Sequence, residues 1–487
     1  MSQEAIADRL AADRTEDAVV APAPEGALAR RLVAWYGVVF GVYLLAMALM
    51  WAVGIEGIYG SPMPFYALIS PVFIEAGAWH LAPLAAALAG LGGFALFWNR
   101  ACWQSGGPSR RAMAWYVFGV IAFSFLFAGS VAVLRGGLDG ISQAYQRQTY
   151  EYIGDIGRAS SIRALFQDYP KIREYLSMHA KVHPPGPIAL LWLISYGIGQ
   201  EPLALSLATM VFGALGVIPL YLWCADVAGK RVAVICSALY ALMPAIALFT
   251  ATSADILFMP FVLWTLFLFW RATQRKPLAY GLAAGVVYGL CSLLSFSLLS
   301  LGAFFAIAGL WLLFNRERRW KVVGTAAAMV AGFLAVHGAV RWWSGFDIVA
   351  CFHDCKTQFD LDQAHLDEAT PRYPAWVFRL ANPATWFYFA GIPVSLLLIW
   401  RLLRPERHTR GLFLVFGLTL VALNFLYLGR GEGERSAMYI MPFLAVPAAH
   451  MLDRLSGQGR RLAPVAATLG FMAFQCWFTE SVFYTFW

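Results

Sequence analysis

The chain has 487 residues, of which 60% are hydrophobic and only 13% are charged, and its mean hydropathy is +0.62. Soluble domains carry about a quarter charged residues, so this composition excludes a soluble globular protein, which could not cover its surface with polar groups. The net charge of +8 comes from basic clusters between apolar segments. It favours contact with a membrane surface rather than with nucleic acid.

The N-terminal segment differs from the rest of the chain. Residues 1–31 mix Ala, Asp, Glu, Arg and Pro without an apolar run, which predicts a disordered cytoplasmic tail rather than a signal peptide. Residues 32–487 contain recurrent apolar windows of about 18 or more residues, the length that crosses a bilayer as a helix. Lipid offers no partners for backbone amides, so the predicted fold is all-α, a polytopic transmembrane helical bundle.

The apolar windows predict thirteen spans. They are 32–54, 80–98, 113–134, 203–224, 232–250, 254–271, 278–296, 298–315, 322–341, 386–403, 411–428, 436–452 and 462–480.

The loops between these spans predict the orientation of the chain. Short cytoplasmic loops are enriched in Lys and Arg, and if every basic cluster is cytoplasmic, the N-terminus lies inside and the C-terminus outside. The apolar segment 187–200 is short, and as a crossing it would move the later clusters to the wrong side. We therefore predict that it is re-entrant or interfacial. High Ala, Gly and Arg usage favours a bacterial chain in the inner (cytoplasmic) membrane.

Two long hydrophilic stretches fall on the outer face in this topology. We call residues 135–186 the first outer loop and residues 342–385 the second outer loop. The loops on the opposite face are short and carry little besides Lys and Arg. Two sizeable loops on one face indicate a site where the spans meet the outer water.

The first outer loop contains two candidate catalytic carboxylates, Glu151 and Asp155, in the sequence YEYIGDIG. Gly154 and Gly157 predict that Asp155 lies at a helix end or turn, close to backbone. A carboxylate at a membrane boundary is partly desolvated, which raises its pKa and suits it to proton abstraction. The alternative is that both are solvated loop acids.

The loop closes with the sequence HAKVHPPGP. The two prolines after His183 require an extended backbone and a rigid corner, which fixes His183 at the outer membrane boundary. His179 and His183 have the spacing of a helical metal pair, but the prolines end the helix and no nearby Cys joins them. We therefore predict no cofactor; a divalent metal is possible but not indicated.

A carboxylate-bearing outer loop that ends in His-Pro-Pro, before a multi-span body, resembles the GT-C superfamily of membrane glycosyltransferases. The resemblance is to the branch of protein O-mannosyltransferases and lipid A aminoarabinose transferases. TATSADILFMPFVLWTLFLFW is similar to the family's helix with an acid at its outer end, here Asp255. GRGEGERSAMYIMPFLAVPAAHML is similar to its late helix, with Arg435, Tyr439 and Pro442.

The chain departs from the family pattern in its acidic residues. The family usually carries an adjacent acidic pair just after its first span, whereas here the acids are dispersed and two extra spans precede the loop. Asp155 and Glu151 match the pattern best by their order in the chain. The identity of the catalytic carboxylate therefore stays open between them.

The resemblance implies a membrane glycosyltransferase that moves a sugar from a polyprenyl-phosphate donor to an acceptor hydroxyl on the outer face. The expected acceptor is a lipid, glycan or protein, and membrane lipids surround the chain. Asp155 or Glu151 would be the base, and Arg435 would hold the leaving phosphate. The remaining predicted substrate-binding residues are His183, Asp255 and Tyr439.

Two of these residues have alternative roles. Arg435 could neutralise Glu432 or Glu434 in the same loop. Asp255 is costly within a span unless it is paired or faces a cavity, but it could instead cap a helix, since the sequence TSAD begins an apolar run.

Cysteines Cys351 and Cys355 lie in the sequence CFHDC of the second outer loop. An oxidising outer compartment permits a disulfide between them, which we favour. Zinc binding through these cysteines with His353 and Asp354 is the alternative, but the sequence offers no second ligand pair.

Two other classes of membrane protein are compatible with this composition. A flippase or other transporter would be expected to show internal repeats with interrupted spans, and we find no convincing repeat. A polysaccharide polymerase or ligase would share the lipid-linked donor but usually differs in loop placement. A glycosyltransferase is the preferred interpretation.

Overall fold

The structure is a computed structural model that describes residues 25–53, 77–101, 103, 107–146, 151–369, 375–404, 409–427, 429, 433–483 and 485. Every helix or strand element assigned within these ranges is a helix, so the predicted all-α class is confirmed. The first helix begins at Glu25. The predicted tail boundary at residue 31 is therefore wrong for residues 25–31, and residues 1–24 lie outside the described ranges.

The described ranges contain eight helical segments that are long and apolar enough to cross a bilayer, which establishes a multi-pass membrane protein. They are Gly26–Met50, Ala78–Arg100, Arg110–Gln146, Pro202–Ala228, Ala254–Gln274, Pro277–Leu294, Phe296–Leu313 and Arg319–Ser344.

A bent pair, Trp376–Ala390 with Ile392–Leu403, meets the same test when taken together and would add a ninth span despite its angle of 111°. The predicted number of thirteen spans is not confirmed. The other predicted spans fall on helices that are shorter, interrupted or less apolar, because hydropathy windows join segments across breaks such as Leu242–Met243.

The first three helices are α1 (Glu25–Ala52), α2 (Leu81–Arg100) and α3 (Arg110–Gly136). The first outer loop that follows is a chain of short helices rather than an irregular coil. It contains α4 (Gln143–Gln146), α5 (Ile162–Ile172) and α6 (Met178–Val182), with 3-10 helices at Gly137–Ile141, Tyr152–Asp155 and Arg173–Tyr175.

The central body follows the His-Pro-Pro corner. Its α-helices are α7 (Gly186–Ile198), α8 (Pro202–Ala214), α9 (Val217–Ala228), α10 (Lys230–Ala241), α11 (Pro244–Ala247), α12 (Met259–Gln274), α13 (Pro277–Leu294), α14 (Gly302–Leu313) and α15 (Arg319–Ser344). Two 3-10 helices, Ala254–Phe258 and Phe296–Leu301, precede α12 and α14. Both of them carry residues of the site described below.

The second outer loop is largely helical. Asp347 begins α16 (Ile348–Ala369), because its Oδ1 accepts hydrogen bonds from the amides of Val349 and Ala350 at 2.9 and 3.1 Å. The remaining helices are α17 (Ala375–Ala390), α18 (Ile392–Leu403), α19 (Arg410–Leu426), α20 (Gly433–Ser436), α21 (Met441–Leu455) and α22 (Ala463–Val482), with a 3-10 helix at Met438–Ile440.

Helices α13 and α15 approach each other closely through glycines. A Cβ at Gly285 would overlap the carbonyl oxygen of Met329, and a Cβ at Gly332 would overlap that of Leu282. Small residues allow such backbone contact between membrane helices. The pair therefore fixes the ends of α13 and α15, which lead directly into the 3-10 helix Phe296–Leu301 and into α16.

Helix α7 has only 13 residues. At 1.5 Å per residue it is about 20 Å long, whereas a hydrocarbon core is about 30 Å thick. The length supports the prediction that residues 187–200 do not cross the membrane.

Topology reporters test this prediction. Reporters fused after the exposed residues Ser160 and Gly199 should both report the outer side, and one fused after the exposed Gly229 should report the cytoplasm. The reason is that α8 and α9 together form a segment long enough to cross the membrane between Gly199 and Gly229. A cytoplasmic signal at Gly199 would show that α7 crosses and that the orientation of the later loops is inverted.

Candidate active site

A cavity of about 540 Å³ lies where the first outer loop, α16 and the ends of the central helices meet. Five side chains that the sequence predicted as substrate-binding or considered as metal ligands line it, namely His179, His183, Asp255, Arg435 and Tyr439. The two predicted catalytic carboxylates, Glu151 and Asp155, do not line the cavity. The structure therefore brings most of the predicted site together and leaves the two carboxylates outside the cavity lining.

Arg435 is the centre of a buried charged cluster. Its Nη1 lies 3.9 Å from Oε1 of Glu151 and its Nε lies 3.7 Å from Oδ2 of Asp255. The three side chains are only 5%, 3% and 16% exposed, respectively. A buried guanidinium requires such carboxylate partners, because the free energy of an unpaired charge is prohibitive there.

His179 joins this cluster, although the sequence offered only a metal role for it. Its Nδ1 lies 3.6 Å from Oε1 of Glu151, and its Nε2 lies 3.4 Å from Nη2 of Arg435. A guanidinium can only donate, so Nε2 is the acceptor in the contact with Arg435. Glu151 thus lies beside both Arg435 and His179 without lining the cavity itself.

The His-Pro-Pro corner has the predicted conformation. The backbone of His183 is extended, with φ −119° and ψ 154°. The hydroxyl of Tyr169 donates to the carbonyl of Ala180 at 2.8 Å and contacts the carbonyl of His183. A Cβ at Gly186 would overlap the carbonyl oxygen of Leu293, so only glycine allows the corner to approach the end of α13 this closely.

Asp155 has a supporting position. As predicted from the neighbouring glycines, it lies at a helix end, closing the 3-10 helix Tyr152–Asp155. Both of its carboxylate oxygens accept the amide of Ser177 at 3.0 Å, and Nε of Arg158 lies 3.0 Å away. Burial raises the pKa of Asp155, while the bonds from Ser177 and Arg158 oppose this shift. Asp155 holds the start of α6, which carries His179, and its predicted catalytic role stays a prediction.

Asp255 does not cap a helix, which excludes its alternative role. Ser253 is the cap of the 3-10 helix Ala254–Phe258, and its hydroxyl accepts the amide of Asp255 at 3.1 Å. The carboxylate of Asp255 is therefore free to face Arg435 and the cavity. Within the described part of the chain it is the one carboxylate in the cavity lining.

The alternative for Arg435 was an ion pair within its own loop. Glu434 is buried, at 3% exposed, and Glu432 lies outside the described residues. Tyr439, four residues further on, lines the cavity, and its hydroxyl lies 3.2 Å from Oγ of Ser300. This contact ties the late segment to the 3-10 helix Phe296–Leu301.

The predicted disulfide between Cys351 and Cys355 is wrong. The two residues lie one turn apart on α16 as free thiols, with Sγ atoms separated by 3.8 Å, whereas a disulfide bond is about 2.05 Å long. On a helix the Cβ atoms of such a pair are about 5–6 Å apart, beyond the usual 3.5–4.5 Å of a disulfide. The sequence analysis did not anticipate that this loop is helical.

Helix α16 contributes a second cation to the cavity. Phe352, Lys356, Phe359 and Gln363 recur at helical spacing along the face that lines it. The ammonium of Lys356 lies 2.5 Å from Oδ2 of Asp360, one turn further on. The sequence offers no signal for Lys356, because its place in the lining depends on which face of α16 meets the cavity.

The described residues contain no group of three His, Cys, Asp or Glu side chains arranged to hold a metal ion. His179 and His183 do not form a metal pair with a third ligand there. The absence of a metal requirement stays a prediction that an activity assay with a chelator would test.

Residues 182–343 match the family model described as dolichyl-phosphate-mannose-protein mannosyltransferase. The match spans about a third of the chain and includes the His-Pro-Pro corner and Asp255, but it ends before Arg435. It confirms the resemblance to the protein O-mannosyltransferase branch of membrane glycosyltransferases. No curated protein sequence matches the chain.

Two solved structures of an oligosaccharyltransferase from Archaeoglobus fulgidus are similar in fold. The first is a complex with Zn and sulfate and shares 15% sequence identity with this chain, at a TM-score of 0.47. The match covers 74% of this chain and 52% of the oligosaccharyltransferase chain. The second is tethered to an acceptor peptide containing an NVT sequon and shares 14% sequence identity, at a TM-score of 0.47. This match covers 75% of this chain and 55% of the oligosaccharyltransferase chain. The chain spans about half the length of these structures.

The environment of His183 predicts a pH dependence of stability. Burial is the main cause that lowers the pKa of His183 to about 4 from its ordinary 6.5. Between these two pKa values the unfolded chain binds a proton at His183 that the folded protein does not bind. The contribution of neutral His183 to the stability of the fold is therefore complete above pH 6.5 and is lost as the pH falls towards 4. At pH 5 the loss is about 2 kcal/mol.

Thermal unfolding of the purified protein between pH 4 and 8 measures this effect. His183→Gln, which cannot take up the proton, should flatten the decline below pH 6.5. His353→Gln, at an exposed position on α16, should leave the profile unchanged. Identical profiles for wild type and His183→Gln would refute a buried, neutral His183.

Proposed function

We propose that this protein is a membrane glycosyltransferase that transfers a sugar from a polyprenyl-phosphate donor to an acceptor hydroxyl. The observation that carries the proposal is the convergence of one carboxylate, Asp255, and one buried guanidinium, Arg435, on a cavity at the ends of membrane helices. Sugar transfer from a phosphate needs both, a proton acceptor and a cation for the leaving group. The family match at residues 182–343 supports the same activity.

The reaction assigns a role to each of these side chains. The acceptor oxygen attacks the anomeric carbon of the sugar, the bond from that carbon to the phosphate oxygen breaks, and the acceptor proton passes to the carboxylate of Asp255. Arg435 stabilises the negative charge that develops on the polyprenyl phosphate. Asp255 replaces Asp155 and Glu151 as the proposed base, because neither of those lines the cavity.

The charges of the cavity lining suit a phosphate-bearing donor. Its charged residues within the described ranges are Asp255, Arg435 and Lys356, which leave an excess of positive charge at the wall. Glu151 is set behind Arg435 and compensates its burial without entering the cavity. The apolar lining residues, which include Phe296, Phe352 and Leu426, offer contacts to the lipid part of a substrate.

In this proposal the cavity faces the outer side of a bacterial cytoplasmic membrane, with the N-terminus in the cytoplasm. The distribution of Lys and Arg between the spans supports this orientation. The acceptor is then a lipid, glycan or protein on the outer side of that membrane.

Transfer of radiolabelled sugar by the purified full-length chain tests the proposal. The donors are polyprenyl phosphates that carry mannose, glucose, galactose or aminoarabinose, and the acceptors are extracts of membrane lipid, glycan and envelope protein. Label should move to one acceptor class. Donor that crosses the bilayer of vesicles without any sugar transfer would instead assign the chain to the transporters.

Arg435 gives the first prediction from this proposal. Arg435→Ala should raise the donor KM and lower kcat/KM by roughly 10²-fold or more, the size expected when a charge-stabilising donor is removed. Arg435→Lys should recover only part of the activity, since an ammonium cannot form the bidentate contact of a guanidinium. Arg163→Ala, at an exposed position of the first outer loop, is the matched control. Equal kinetics in all three variants would exclude a donor-binding role for Arg435.

The carboxylates give the second prediction. Asp255→Asn keeps the shape of the side chain but removes the proton acceptor, so kcat should fall by about 10²–10⁴-fold, the usual contribution of a positioned base. Asp155→Asn should lower the thermal stability, because it weakens the anchor of α6, while the folded fraction keeps nearly normal turnover. Asp168→Asn is the control, since Asp168 pairs with the exposed Lys171 and does not line the cavity. Full turnover in Asp255→Asn combined with inactivity of a stably folded Asp155→Asn would restore Asp155 as the base.

A further inference from the structure

The 3-10 helix Phe296–Leu301 forms one wall of the cavity and bears hydroxyl groups that the reaction above does not use. Ser295, Ser297 and Ser300 all line the cavity. We propose that Ser297 and Ser300, with Ser295 behind them, form the subsite that binds the hydroxyl groups of the donor sugar. This proposal rests on the transferase function and identifies the part of the site that selects the sugar.

The geometry of a 3-10 helix separates the faces of this segment. With three residues per turn, positions i and i+3 lie one above the other. Leu298 and Leu301 form one such pair and are buried, at 2% and 0% exposed. Ser297 and Ser300 form another, and Ser297 is exposed to the cavity. The segment thus presents hydroxyls to the cavity, whose lining also includes Leu298 and Leu299, while Leu301 packs in the core.

The serine wall is held in place by bonds from neighbouring elements. The hydroxyl of Tyr288 donates to the carbonyl of Leu299 at 2.6 Å. Oγ of Ser300 donates to the carbonyl of Ser297 at 2.6 Å and lies 3.2 Å from the hydroxyl of Tyr439. Oγ of Ser295 lies 2.9 Å from Oγ of Ser297. Each hydroxyl keeps lone pairs for a ligand, and their positions are fixed before the ligand arrives.

The chemistry of this wall suits a neutral polyol. The same cavity lining carries the charges of Arg435 and Asp255, which suit a phosphate and a proton. A sugar ring carries no charge and is recognised by hydrogen bonds, which discriminate strongly because an unmatched partner is left unpaired. Tyr439 connects the serines to the charged residues, since it follows Arg435 by four residues and contacts Ser300.

A cycle of enzyme variants and deoxy donors tests the subsite. The variants are Ser297→Ala and Ser300→Ala, and the donors are the preferred polyprenyl-phosphate sugar and its 2-, 3-, 4- and 6-deoxy analogues. Removal of one hydrogen bond should lower kcat/KM for the natural donor by roughly tenfold. For the analogue that lacks the partner hydroxyl, the same variant should have no effect.

Ser195→Ala is the matched control. Ser195 also donates to the carbonyl three residues earlier, that of Trp192, and is buried on α7 outside the cavity lining. The Ser195→Ala substitution should lower activity only slightly, and by the same factor for every donor. Ser300→Thr keeps a hydroxyl and should restore the selectivity that Ser300→Ala loses, which separates binding from a folding defect.

The possible results have distinct meanings. A wild-type enzyme that transfers sugar, combined with serine variants that affect all donors by the same factor, overturns the subsite and leaves the transferase function intact. A wild-type protein that transfers sugar from none of the donors overturns both. If a serine variant lowers kcat/KM for every donor except one deoxy analogue, the hydroxyl missing from that analogue is the partner of the substituted serine.

Discussion

The burial of the Arg435 guanidinium between two carboxylates is the interaction on which the site depends. Glu151, Asp255 and Arg435 come from three distant parts of the chain, and the two carboxylates offset the cost of burying the guanidinium. Removing one partner of a buried pair typically costs about 3–5 kcal/mol, because the remaining charge is left uncompensated. The first outer loop, the start of α12 and the late segment before α21 must therefore be held in register.

Hydrogen bonds from other polar side chains help to hold these segments in place. Asp155 binds the amide of Ser177 and so fixes α6, while the hydroxyl of Tyr169 holds the backbone at Ala180. Glycine contacts between α13 and α15 hold these two helices close together. Residues that resemble catalytic groups by type can thus serve only to position others. A positioning residue is distinguished from a catalytic one by its hydrogen-bond partners, which are groups of the protein rather than groups of the substrate.

The sequence predicts the class of fold well, because apolar length and charge distribution decide it almost alone. The family resemblance identifies His183, Asp255, Arg435 and Tyr439, which do meet in one cavity. It does not reveal the different surroundings of Glu151 and Asp155, since these depend on a 3-10 helix that begins between them. The helical second outer loop and the inward face of α16 were likewise missed, because burial of one face there comes from tertiary contacts and not from local pattern.

The distance along the chain between the parts of the site has a consequence for biosynthesis. His179 and Arg435 are 256 residues apart, so at roughly 5–20 residues per second the ribosome adds the arginine about 10–50 s after the histidine. During this interval the helices around the cavity enter the membrane while Glu151 and Asp255 lack their cation. The binding site is therefore completed only when the segment that carries Arg435 is inserted.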